Sequence, residues 1–72
     1  MNFCQRLREC RKKVGLTQED FARELNIAYS TYRRYEQGGT EPSLSDAVKI
    51  ADFFHVSLDY LTGRTDDPEV HR

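Results

Sequence analysis

The stretch TQEDFARELNIAYSTYRRYEQG, Thr17 to Gly38, decides how this chain folds. The Thr17 hydroxyl suits a free amide of a helical first turn, and Asp20 stands three residues on, near the positive end of the helix dipole. These residues start a helix. Phe21, Ala22 and Leu25 then fall at i, i+1 and i+4, an apolar stripe whose small central residue lets another helix cross closely. Asn26 tolerates left-handed backbone, so it stops the helix and turns the chain. A second helix is expected from Ala28 or Tyr29 to Gly38. At about 100° per residue, Thr31, Tyr32 and Tyr35 lie on one side of it, and Tyr29, Ser30, Arg33, Arg34 and Gln37 on the other. The first set packs and the second stays free. That free face carries what a major groove takes: guanidinium groups for guanine acceptors, an amide for adenine's paired donor and acceptor, and hydroxyls for phosphate.

These residues resemble the Cro/CI-type, XRE-like helix-turn-helix of phage and bacterial repressors, from about Leu7 to Gly63. Leu16, Thr17, Gln18, Ala22, Leu25, Ile27, Glu36, Gly38, Pro42, Ser43, Leu44, Ala51, Val56, Ser57 and Leu61 stand where that family's pattern puts those residue types. The resemblance implies an all-α, compact five-helix lambda-repressor-like domain over residues 1–63, with the helix-turn-helix at its second and third helices. It also implies that Gln18 hydrogen-bonds a phosphate and that Tyr29, Ser30, Arg33 and Arg34 enter the groove, with Tyr29, Ser30 and Arg34 the base readers. Finally, it implies a bidentate pair between Arg11 and Glu36 that ties the recognition helix to the first helix.

Two residues depart from that pattern. Ala28 stands where the family has a capping Ser or Thr, at a cost on the order of 1 kcal/mol. The helix either starts uncapped or starts later with Ser30 as its cap, which takes Ser30 out of base reading. The loop GGTEP has Glu41 where the family often has a basic residue, so it repels phosphate or turns away.

Outside the motif, Phe3, Leu7, Cys10 and Val14 recur on one face of a first helix that ends at Gly15, while Arg8 and Lys12 lie opposite. After a Gly- and Pro-containing loop, Ser43 caps a fourth helix with Asp46 at its third position, and Leu44, Ala47, Ile50, Ala51 and Phe54 share a core face. Phe53 points almost opposite, with Val48 at the flank. Val56 and Ser57 turn into a short fifth helix, with Val56, Leu58 and Leu61 folding back on the core. Arg64 to Arg72 reads as a flexible C-terminal tail, and no ligand-sensing second domain is expected after it.

The chain has 72 residues and a formal net charge of −1, with mean hydropathy −0.78. That suits one small globular domain. Residues 1–40 carry +3 and residues 41–72 carry −4, so the basic half holds the proposed recognition helix. No apolar run is long enough for a membrane span or a signal core, so the cytoplasm is expected. Cys4 and Cys10 are six apart on a helix, about 9 Å along its axis and on different faces, too far to bridge. His55 and His71 lack ligand spacing, so neither metal nor cofactor is expected.

Catalysis needs a pocket with a positioned nucleophile, base or metal, and no enzyme activity is expected. Tyr32 and Tyr35 lie inward, which speaks against a stacking platform for single strands. The expected function is a sequence-specific transcriptional regulator of double-stranded DNA. It would be a repressor by operator occlusion, binding as a homodimer to half-sites about one helical turn apart. The alternative is an antitoxin-like interaction module with a toxin partner, using Phe53 and Tyr60 as a partner or self-association surface.

Overall fold

The computed structural model describes residues 2–68. Its five helices are α1 (Phe3–Val14), α2 (Gln18–Leu25), α3 (Tyr29–Gln37), α4 (Leu44–Phe54) and α5 (Leu58–Leu61), with no strand among the described residues. This is the all-α, five-helix arrangement expected from the sequence.

Local chemistry sets the boundaries. Asn2, Thr17, Ser43 and Ser57 each accept an amide hydrogen bond at a helix start, from Gln5, Asp20, Asp46 and Tyr60 respectively. Each such cap supplies about 1 kcal/mol to its helix. Left-handed residues end four of the helices: Gly15, Asn26, Gly38 and His55. After Asn26 and His55, the next amide reaches back in the same way, Ile27 to the Ala22 carbonyl and Val56 to that of Ala51, both at 3.0 Å. A buried or half-buried β-branched residue thus follows each turn and anchors it to the core.

Leu7, Phe21, Leu25, Tyr32, Tyr35, Ile50, Ala51 and Leu61 meet in the core. Burying each large apolar side chain contributes about 1.5–3 kcal/mol. Three residues expected in the core stand outside it: Val14 is 42% exposed, Leu44 75% and Leu58 38%. Each occupies the first or last position of its helix. Phe53 departs in the other sense. It is 38% exposed, but its ring packs edge-on against Phe21 at 5.3 Å and Phe54 at 5.2 Å, because Phe21 of α2 lies over the end of α4.

The tail expected from Arg64 onward is tied down over its first five residues. The Arg64 and Thr65 amides donate to the Asp59 carbonyl at 2.8 and 3.3 Å, and the Ser57 amide donates to the Pro68 carbonyl at 3.2 Å. Arg6 completes the attachment. It is 5% exposed, with its guanidinium carbon 3.9 Å above the Tyr60 ring and Nη2 donating to Asp66 at 3.2 Å. Residues 69–72, including His71, lie outside the described part. Among the described residues, no helix is long and apolar enough to cross a membrane.

Candidate nucleic-acid interface

α3 is a helix with one face fixed and one face free. It begins at Tyr29 after Ala28, which makes no side-chain cap bond. Ser30 therefore lies inside the first turn and is not a cap. Inward, Tyr32 is fully buried and meets Phe21 edge-on at 5.5 Å. Tyr35 is buried as well, and its hydroxyl donates to Asp46 Oδ2 on α4 at 2.7 Å. Burial, then the bond to Asp46, raises the Tyr35 phenol above its ordinary value. Outward, Tyr29, Ser30, Arg33, Arg34 and Gln37 are all exposed.

Glu36 holds α3 in place. It is 2% exposed and receives Arg11 Nε at 2.7 Å and Arg11 Nη2 at 3.2 Å. Gln18 Nε2 donates to it at 3.1 Å, and the Tyr32 hydroxyl donates to its Oε2. Burial alone would raise this carboxyl, but the bonds from Arg11, Tyr32 and Gln18 outweigh burial and hold it below its ordinary value. The Tyr32 phenol is pushed up, first by burial and then by Glu36. The Arg11 guanidinium is raised chiefly by its hydrogen bond to Glu36, and it also donates to the Leu16 carbonyl at 3.0 Å. One carboxylate thus joins α1, α2 and α3.

The pair expected between Arg11 and Glu36 is therefore present, and Gln18 and Tyr32 join it. Gln18, expected at a phosphate, spends one amide hydrogen on Glu36 and keeps the other. The sequence places Tyr32 in the packing face and does not show its hydroxyl on Glu36. Its spacing of i, i+4 from Glu36 on an inward face was the available signal. Arg8, exposed on α1, reaches the Glu36 carbonyl through Nη1 at 3.4 Å, beside the end of α3. Arg34 has no partner among the described residues, whereas Arg33 lies over the Tyr29 ring at 5.7 Å. Glu41 is exposed. Phe53 and Tyr60 differ in what they leave free, since Arg6 covers one face of the Tyr60 ring.

A short helix, a three-residue turn through Asn26 and a second helix held by a buried carboxylate define a helix-turn-helix domain. The chain belongs to the helix-turn-helix family whose model matches residues 7–61, the Cro/CI-type, XRE-like group that its motif resembles. It is 45% identical over 67 residues to the HTH-type transcriptional regulator YobD of Bacillus subtilis (strain 168), covering 93% of this chain and 60% of that protein. It is 39% identical over 64 residues to the cryptic phage CTXphi transcriptional repressor RstR of Vibrio cholerae serotype O1, covering 89% and 57%. Among solved structures, a transcriptional regulator from Listeria innocua superposes with a TM-score of 0.80 at 30% identity, covering 92% of this chain and 62% of that one. The chain spans about three-fifths of the length of these relatives.

Proposed function

We propose that this chain is a sequence-specific, double-stranded-DNA-binding transcriptional regulator that acts in the cytoplasm. It binds as a homodimer to two half-sites about one helical turn apart and represses by occluding its operator. The observation that carries this reading is the division of α3. Its inner face is pinned by Glu36, Tyr32 and Tyr35, while Tyr29, Ser30, Arg33, Arg34 and Gln37 stand exposed on one outer face. Gln18 and Arg8 flank that face and meet the phosphates, while Tyr29, Ser30, Arg33 and Arg34 enter the groove. Replacing Arg33 and Arg34 together with Ala abolishes specific binding with helicity unchanged; retained specific binding would remove the proposal.

One helix of this size reads too few bases to select a site alone. Two recognition helices in successive grooves need a contact that flanks them, and Leu44, 75% exposed, opens α4 just after the loop that ends α3. The homodimer is proposed to meet through Leu44 and Leu58. Phe53 and Tyr60 are the competing surface, and they equally fit the antitoxin-like reading, in which a toxin covers them. Sedimentation equilibrium separates these: Leu44→Ser lowers the association constant about tenfold or more, as expected for one well-buried interface side chain, and Phe53→Ser does not. The reverse order moves the interface to Phe53.

A further inference from the structure

The arginines on α1 and α3 are held in different ways. Arg11 gives Nε and both terminal nitrogens to protein acceptors. Arg33 lies over a ring: its guanidinium carbon is 5.7 Å from the centroid of Tyr29, one turn back along the helix. Helical side chains lean toward the N-terminus, which brings Arg33 over Tyr29. A π face orients a guanidinium without consuming its N–H donors, which point outward in the plane of the group. Both residues are exposed, so this oriented fork faces solvent with its hydrogen bonds unspent.

Resting on the DNA-binding reading above, we propose that Tyr29 and Arg33 form one reading unit. Arg33 donates two parallel hydrogen bonds to O6 and N7 of a guanine in the major groove, and Tyr29 is the positioning residue that sets the plane of its guanidinium. The chemistry selects guanine because it alone presents two acceptors side by side on one base in that groove. Arg33 sits at the middle of α3, whose span is Tyr29–Gln37. In a helix-turn-helix the N-terminal part of the groove-lying helix contacts base edges, and Arg33, one turn on from Tyr29 on the same outward face, stands within reach of them. The contact with Tyr29 also narrows the rotamer freedom that a long side chain gives up on binding. Each free arginine of the outer face thereby has its own task, with Arg34 unpartnered and adaptable and Arg33 set in advance.

The test is selection of bound duplexes from a randomised pool by the full chain and by Arg33→Ala, Tyr29→Ala and Tyr29→Phe, with circular dichroism to check the fold of each. The wild type is expected to prefer guanine about tenfold or more at one position of each half-site. Arg33→Ala flattens that position and leaves the others. Tyr29→Ala weakens the same preference, and Tyr29→Phe, which keeps the ring, restores it. If Arg33→Ala lowers binding to every sequence alike, Arg33 meets a phosphate and the unit is wrong. If Tyr29→Ala keeps the full guanine preference, its positioning role is wrong. A wild-type chain that selects no sequence overturns the DNA-binding reading itself, an outcome distinct from both.

Discussion

Arg11 and Glu36 face each other as two forks, Nε to Oε2 at 2.7 Å and Nη2 to Oε1 at 3.2 Å, across the contact between α1 and α3. The Glu36 side chain is 1% exposed and that of Arg11 18%. Removing Arg11 leaves a buried carboxylate without its counter-charge, so Arg11→Ala is expected to cost about 3–5 kcal/mol in urea unfolding. Replacing both partners, as Arg11→Met with Glu36→Leu, recovers most of that loss because no charge is stranded. A cost below about 1 kcal/mol for Arg11→Ala would make the pair a surface contact.

The same carboxyl sets an acid limit. Glu36 is held below its ordinary value of 4.5, so its stabilising effect is complete above that value. It fades as pH falls through the lower value of the folded state. Melting temperature measured downward from about pH 7 should therefore drop below about pH 4.5, and Glu36→Gln should be less stable at neutral pH but flatter on the acid side. An unchanged acid slope in Glu36→Gln would assign the transition to other carboxylates.

Ala28 precedes α3 as its N-cap residue and makes no side-chain cap bond, at φ −57° and ψ 135°. Those angles are open to serine. Ala28→Ser is expected to stabilise the domain by about 1 kcal/mol in chemical denaturation, its hydroxyl accepting from the first turn of α3. No gain would mean that the α3 start is already satisfied by water.

Residues 64–68 brace the fold. A chain ended after Gly63 loses Asp66 from the buried Arg6 and the Pro68 carbonyl from the Ser57 amide. That truncation is expected to cost about 1–3 kcal/mol, the penalty for a buried donor left without its acceptor. Equal stability of the long and short chains would show the strap to be idle.

How much of this was legible in the sequence depended on distance along the chain. Thr17, Ser43, Gly15 and Gly38 are local signals, and each helix boundary they imply stands within a residue or two of its place. Periodicity locates the buried faces but not the exposure of single residues at helix ends, as Val14, Leu44 and Leu58 show. Arg6 shows the other difficulty. It lies on the apolar stripe between Phe3 and Cys10, but its burial comes from Tyr60 and Asp66, more than fifty residues away. Gln18 and Tyr32 joined Glu36 for the same reason, since the convergence of three helices on one carboxylate is a property of packing. The outward set on α3 was fully legible, because a single helix determines it.

The most direct test of the central claim is fluorescence anisotropy of the purified chain with duplexes tiled across the DNA upstream of its own gene, against random duplex, over a series of salt concentrations. One tile is expected to bind at least about a hundredfold tighter than random DNA, with affinity falling steeply as salt rises. Weak and equal binding to every tile would contradict it, leaving the basic face of α3 as a nonspecific surface.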